Sequence, residues 1–360
     1  MNATFVGQFG RRVLNAAGLC ALCGCLNSNL LAAAPEPVDF NRAQQLLHKS
    51  KQGEKLSPED QAYLDRAKAA RRGGQGGKAA KGGENGKAAD DSSPDRSTQR
   101  EVFAKAADGT PLHWDVYQPH GSGPWPAVLL IHGGGFIKGN ENIQQLIAAA
   151  HALNAIGYIG FSVEYRLAPP GHINGQKSQG YYPEQTDDVK LAILKARTDP
   201  RCNGKVGALG GSAGGHHAAF IAADGKDGAD KVDVAVCLSG AYDFSDEKSL
   251  NHKGQFKSKV QNYAHSTDKA VLLASSPISK VTASASPMLL VETENDSMPP
   301  NQMLVMEAKL KSLGVTNYKT IMLPGGGHSF ANWPKVKDQC IAFLNSVLKD
   351  SNAPPSLAPR

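Results

Sequence analysis

A serine flanked by glycines in Gly210-Gly211-Ser212-Ala213-Gly214 stands directly after one apolar run, 206–209, and shortly before another, 218–222. Strand, sharp turn and helix in that order form an elbow that lifts a serine hydroxyl clear of the backbone, and small residues such as Gly210 and Gly214 let the turn close. The chemistry such a hydroxyl serves is attack on an acyl carbon. A glycine-rich turn before a helix can also cradle phosphate, but the Lys-Ser/Thr pair of a phosphate-binding loop is missing here.

An attacked carbonyl becomes an oxyanion, which needs hydrogen-bond donors. His132-Gly133-Gly134-Gly135-Phe136 follows the apolar run 127–131, and its glycines bring backbone N–H groups close to a substrate without side-chain obstruction. Gly133 and Gly134, with the N–H of Ala213 just after the serine, are the predicted donors. A serine is a weak nucleophile unless a base takes its proton and a carboxylate orients that base. In the chain order serine, acid, histidine, the candidates are Asp296 and His328. Each follows an apolar run, 288–291 and 318–323, so both are predicted at C-terminal ends of strands, where open parallel sheets place their sites.

Glu292 and Glu294 compete with Asp296 for the orienting role, but they fall nearer the strand, where alternate side chains point into packed surroundings. His132 is read as hydrogen-bonding its own loop. His216 and His217 are neighbours on a helix and do not share a face, which speaks for packing rather than a metal site; the adjacent Asp187 and Asp188 diverge in the same way. This chemistry requires no metal and no cofactor. An imidazole accepts a proton only when neutral, so hydrolysis should fall in acid.

These residues need a frame. Short strand-like runs alternate with helical patterns, the signature of a mostly parallel sheet covered on both faces. The pattern predicts an edge hairpin over 101–106 and 112–117, turned at Asp108-Gly109, then strands at 127–131, 159–163, 206–209, 232–238, 288–291 and 318–323. Helices are predicted near 141–156, 183–197, 213–223, 300–313 and 334–348. That makes eight strands in one α/β domain, with no internal repeat.

Taken together, His132 to Phe136, Glu164-Tyr165-Arg166-Leu167-Ala168-Pro169, Gly210 to Gly215, Ser276-Pro277-Ile278, Asp296 and Gly327-His328 resemble the hormone-sensitive-lipase-like esterases of the α/β-hydrolase superfamily and their secreted acetyl and feruloyl esterase relatives. The resemblance covers residues 100–348. It implies an eight-stranded sheet, a covalent acyl-enzyme, no metal, and a preference for small or water-soluble esters, including acylated carbohydrate. Such relatives read Gly-Asp-Ser-Ala-Gly-Gly or Gly-Gly-Ser-Ala-Gly-Gly at the elbow, and this chain has the second form. One departure stands out: after Tyr-Arg-Leu-Ala-Pro the chain inserts residues 171–185, and Tyr181 and Tyr182 within that insert, with Phe136, are predicted to shape the substrate pocket. A peptidase of the prolyl-oligopeptidase type shares the fold and residue order, but its usual accessory domain is absent here and Ala213 stands where Tyr is frequent. A binding module that has lost catalysis is the third reading, and it fits poorly with a complete residue set.

The 360 residues carry 39 Lys/Arg against 33 Asp/Glu, and 14 of those basic residues against 10 acidic ones lie in 1–98. The later part is thus nearly neutral, and no basic patch argues for nucleic acid. Arg11-Arg12, the apolar stretch 13–26 and Ala32-Ala33-Ala34 read as an export signal over 1–34, giving a periplasmic or secreted protein; Leu22-Cys23-Gly24-Cys25 loosely fits a lipid-attachment site. Residues 35–72 are read as a short helical hairpin or spacer, 73–99 as a flexible linker rich in Gly and Lys, 100–350 as the catalytic domain and 351–360 as a disordered tail. Outside the signal only Cys202, Cys237 and Cys340 remain. An odd count makes no disulfide framework, and a Cys202–Cys340 bridge is the single pairing predicted as possible.

Overall fold

The computed structural model describes residues 55–73, 99–169, 171–173 and 175–349, together with Leu46 and Ser50. The chain divides into two units, 1–89 and 90–360. The expected signal and lipid-attachment site, nearly all of the linker, the tail and most of the first expected helix lie outside the described residues.

In the first unit, helix α1 spans Pro58–Gly73 and begins directly after Ser57. Ser57 Oγ accepts the Asp60 N–H at 3.1 Å, so one orphan donor of the first turn is satisfied. Tyr63, Leu64 and Ala67 bury one stripe of this helix with Leu46.

The second unit is built on β1 (Gln99–Lys105), β2 (Pro111–Tyr117), β3 (Trp125–Ile131), β4 (Ile159–Val163), β5 (Cys202–Gly211), β6 (Val234–Leu238), β7 (Met288–Thr293) and β8 (Tyr318–Leu323). They form one eight-stranded sheet in the order β1-β2-β4-β3-β5-β6-β7-β8. β2 runs antiparallel to β1 and β4, and the other pairings are parallel. All the predicted strands are present, and β5 begins at Cys202, earlier than the apolar run suggests. The edge hairpin turns where predicted, with Asp108 Oδ1 accepting the Thr110 N–H at 2.8 Å.

Both faces are covered. Helices α2 (Gln144–Asn154) and α9 (Trp333–Leu348) bury Leu146, Leu153, Val336 and Leu344 against one face. On the other, α3 (Glu184–Thr198), α4 (Ala213–Ala223) and α8 (Asn301–Ser312) bury Val189, Ile221 and Met306. Every residue of α4 is buried, which explains why its sequence shows no polar stripe.

Three short helices between β6 and β7 were not foreseen: α5 (Glu247–Leu250), α6 (Phe256–Ala264) and α7 (Lys269–Ala274). They are too short to be stable alone and depend on caps and tertiary packing. Asp246 and Asp268 cap α5 and α7, and α6 buries Phe256, Val260, Tyr263 and Ala264.

The possible Cys202–Cys340 bridge is not formed; Cys202, Cys237 and Cys340 are all free and buried. Cys202 packs in the cluster under α3 and α4, and Cys340 in the cluster under α2 and α9, so the sheet stands between them. Among the described residues no helix is long and apolar enough to cross a membrane.

Candidate active site

Strand register brings the motifs together. Ile131 of β3 lies beside Gly210 of β5, and Gly211 lies beside Leu238 of β6. The loops leaving these strands therefore emerge side by side at the C-terminal end of the sheet. Ser212 sits in the turn after β5 with φ 58°, a backbone conformation that costs free energy for a non-glycine residue. Its N–H is tied to Leu238 O at 2.8 Å, and its carbonyl accepts the His216 N–H at 3.0 Å, which anchors the elbow on both sides. Gly210 must be glycine for the turn to close: a Cβ there would fall 2.0 Å from Gly214 O.

Gly133 packs against the serine turn. A Cβ on Gly133 would lie 2.8 Å from Gly211 O and 3.1 Å from Ser212 Cβ. Gly133, Gly134 and Gly135 line the cavity that also holds Ser212 and Ala213, and the Ala213 N–H, first in its helix, has no intrahelical acceptor. His132 braces this loop. Its Nδ1 lies 2.8 Å from Gly133 O, its ring stacks on Tyr165 at 4.2 Å, and the Tyr165 hydroxyl donates to His132 O at 2.8 Å.

His328 and Asp296 are brought together, although 32 residues separate them. His328 Nδ1 lies 2.6 Å from Asp296 Oδ1, and the same oxygen accepts the Met298 N–H at 2.9 Å. Asp296 Oδ2 accepts the Ser239 hydroxyl at 2.6 Å, and Ser239 Oγ accepts the Ser329 N–H at 2.8 Å. Thr293 Oγ1 donates to Gly327 O at 2.9 Å, clipping the end of β7 to the histidine loop. The His328 side chain keeps 38% of its surface exposed, and it lines the same cavity as Ser212.

Burial alone would raise the Asp296 carboxyl, but hydrogen bonds from His328, Glu292 and Ser239 outweigh it and hold the group at about 2. Glu292 behaves oppositely: burial first, then its contact with the Asp296 carboxylate, pushes it up to about 10. Two adjoining carboxyls cannot readily both ionise, so Glu292 is the neutral one and Asp296 the charged one. Glu294 points instead to the Gly325 N–H.

The cavity has a volume of about 580 Å³, within the range for small-molecule sites. Phe136 forms part of its wall and stacks on Tyr263 at 4.2 Å. Tyr181 and Tyr182 do not line it. Tyr182 is drawn off into the aromatic cluster of Tyr263 and Phe220, and Tyr181 meets His265 edge-on at 4.1 Å. The insert that carries them is pinned away from the cavity: Gln176 bonds both Leu167 backbone groups, and Arg166 clamps Asp188 and Ser178. Phe256, Lys259 and Val260 of α6, with Met298, also line the cavity. Their signal was present in the sequence, because Phe256, Val260, Tyr263 and Ala264 follow helical spacing i, i+4, i+7, i+8.

His216 and His217 are fully buried. His216 Nδ1 lies 3.1 Å from Ala241 O, and His217 Nε2 lies 3.2 Å from Gln185 Oε1. Gln185 Nε2 in turn donates to Phe136 O at 2.8 Å, so these histidines support the cavity wall from behind.

The chain is 28% identical over 226 residues to Esterase LipC of Mycobacterium tuberculosis, covering 58% of this chain and 53% of that protein. It is 28% identical over 200 residues to the probable carboxylic ester hydrolase LipM of the same organism, covering 50% and 43%. It thus spans about half the length of the curated relatives it matches. Its fold is similar to that of a thermophilic esterase from the planctomycete Thermogutta terrifontis, with TM-score 0.57, 19% identity and coverage of 72% of this chain and 96% of that one. An acetyl ester-xyloside bifunctional hydrolase from Caldicellulosiruptor lactoaceticus gives TM-score 0.56 at 20% identity, covering 69% and 96%. The BD-FAE family model matches residues 114–310, the stretch that runs from β2 past the glycine loop, the serine elbow and Asp296, and by that match over more than half its length the chain belongs to the BD-FAE family.

Proposed function

We propose that the chain is a serine carboxylic ester hydrolase in which Ser212 is the nucleophile, His328 the base and Asp296 the orienting carboxylate. The observation that carries this reading is one cavity lined by the strained Ser212 and by a His328 ring whose Nδ1 is fixed by a buried carboxylate. That bond leaves His328 Nε2 as the free, basic nitrogen. As Ser212 Oγ bonds to the ester carbonyl carbon, its proton passes to His328 Nε2 and the carbonyl electron pair moves onto oxygen. Donors from Gly133, Gly134 and Ala213 hold that oxyanion, with Gly135, Gly210 and Gly214 shaping the loops.

Collapse of this intermediate expels the alcohol, which takes the proton from His328. Water then attacks the acyl-enzyme carbonyl, giving its proton to the same nitrogen, and Ser212 leaves with that proton as the acid is released. Asp296 stays ionised throughout and steadies the imidazolium. The substrate class is a short-chain or acylated-carbohydrate ester, which the size of the cavity, the resemblance to acetyl and feruloyl esterases and the esterase relatives support. The signal-like features at 11–34 support an exported protein whose mature chain begins near Pro35.

The test is hydrolysis of an aryl acetate by the wild type and by Ser212→Ala, with mass spectrometry after an organophosphate. Turnover that vanishes in the variant, with a covalent adduct on Ser212, supports the reading. Undiminished turnover in Ser212→Ala overturns it.

A further inference from the structure

Three titratable side chains line the cavity among the described residues: His328, Lys138 and Lys259, and no carboxylate joins them. Both lysines lie beside the glycine loop. Lys259, half-buried on α6, lays its stem and ammonium across Gly135: a Cβ there would fall 2.6 Å from Lys259 Cδ and also 2.6 Å from its Nζ. Lys138 is exposed and lines the cavity, and its carbonyl packs onto Gly134. The ammonium of Lys259 is destabilised by burial and then by repulsion from Lys138.

Some lysines elsewhere are compensated. Lys190, Lys231, Lys269 and Lys311 each pair with a carboxylate, whereas Lys138 and Lys259 form no ion pair among the described residues. Both cationic side chains line the cavity with Phe136, Phe256 and Val260 and with no counter-charge in its lining, which a bound carboxylate would supply.

We infer that this cavity selects esters bearing a carboxylate, with Lys259 and Lys138 as the residues that read it. The inference rests on the ester-hydrolase reading above and narrows its substrate class. The hydrocarbon part of such a substrate lies on the apolar wall, and its carboxylate meets the two ammonium groups beside the glycine loop. The carboxylate could belong to either side of the ester: an acyl chain that ends in one, or an acylated hydroxy acid such as a uronic acid.

Two substrate pairs separate these sources. 4-Nitrophenyl hemiglutarate against 4-nitrophenyl butyrate places the charge on the acyl side; 4-acetoxybenzoate against 4-acetoxybenzamide places it on the alcohol side. The readout is the ratio of kcat/KM for charged over neutral ester in the wild type, Lys259→Gln, Lys138→Gln and Lys259→Arg. In one pair the wild-type ratio is expected to fall about tenfold in Lys259→Gln, by less in Lys138→Gln, and to be largely kept in Lys259→Arg, with added salt weakening it. The pair that responds identifies which half of the ester carries the charge. Lys138 is exposed, so its variant reports even if the Lys259 change disturbs packing. Ratios that are the same in all four proteins for both pairs overturn the inference while leaving the ester-hydrolase reading intact. Failure of the wild type to exceed Ser212→Ala on every ester overturns that reading, and this one with it.

Discussion

The Ser239 hydroxyl donates to Asp296 Oδ2 at 2.6 Å, and its oxygen accepts the Ser329 N–H at 2.8 Å. Ser239 follows β6, Asp296 follows β7 and Ser329 follows β8, so one side chain joins the three loops that hold the proposed acid and base. A hydrogen bond to a charged acceptor contributes about 1.5–3 kcal/mol. Ser239→Ala should therefore loosen the Asp296–His328 pair and lower kcat/KM about tenfold or more. Steady-state kinetics with an aryl acetate check this, and unchanged kinetics would show that Met298 N–H and His328 suffice to hold Asp296.

Gly133 is the next test, because a Cβ there meets Gly211 O and Ser212 Cβ at 2.8 and 3.1 Å. Gly133→Ala should push the glycine loop off the serine elbow. Losing one oxyanion donor costs about 3–4 kcal/mol of barrier, so kcat should fall by roughly 10²–10³. Circular dichroism should show the fold retained. A variant with wild-type kcat would remove Gly133 from the proposed donors.

The Arg166–Asp188 pair is the main buried ionic element. Arg166 Nε and Nη2 reach Asp188 at 2.8 Å, and the Arg166 N–H also donates to Asp188 at 2.9 Å. Removing one partner leaves an uncompensated buried charge, which costs about 3–5 kcal/mol. Arg166→Ala should lower stability by that order in denaturant unfolding. A loss under 1 kcal/mol would mean that water reaches the site and screens Asp188.

Three buried histidines set the response to acid. Burial lowers His132 to about 4, His216 to about 3 and His217 well below its ordinary value. The unfolded chain takes up protons below about 6.5 where the folded chain does not. Their contribution to stability is therefore intact above that pH and is lost as pH falls through it toward the folded values. At pH 5.5 each histidine costs on the order of 1 kcal/mol, so the three together cost several kcal/mol. Unfolding free energies at pH 7.5 and 5.5 measure it; equal values would show that water or a proton reaches the cluster in the folded state.

Glu292 runs the opposite way. Its folded carboxyl is raised from 4.5 to about 10, chiefly by burial, so the stability it allows is complete below about 4.5 and is lost as pH rises toward 10. By pH 7 the loss is on the order of 3 kcal/mol. Glu292→Gln keeps the neutral shape and should be more stable than the wild type at pH 8, with little difference at pH 4.5. Stability that falls equally in both proteins would mean that Glu292 is ionised beside Asp296.

Much of the site was legible in the sequence because its signals are local. An elbow needs glycines at fixed offsets around Ser212, a glycine loop exposes its own N–H groups, and strand and helix periodicities repeat over a few residues. These fixed the positions of Ser212, Gly133, Gly134, Ala213, Asp296 and His328 as candidates before any fold was seen. Tertiary structure decided what surrounds them. Tyr181 and Tyr182, chosen from their place in an insert, are captured by Tyr263, Phe220 and His265 instead of the cavity. The wall comes from Phe256, Lys259 and Val260, on a helix whose stability comes from packing against partners far along the chain. Ser239 had no motif at all, since its role exists only where β6, β7 and β8 end in register. Cys202 and Cys340 lie in the apolar clusters on opposite faces of the sheet, a separation that spacing along a chain cannot express. Turn chemistry acts over a handful of residues and can be read along the chain. A pocket wall, a loop-joining hydroxyl and an unpaired lysine depend on which distant segments meet, and packing alone determines that.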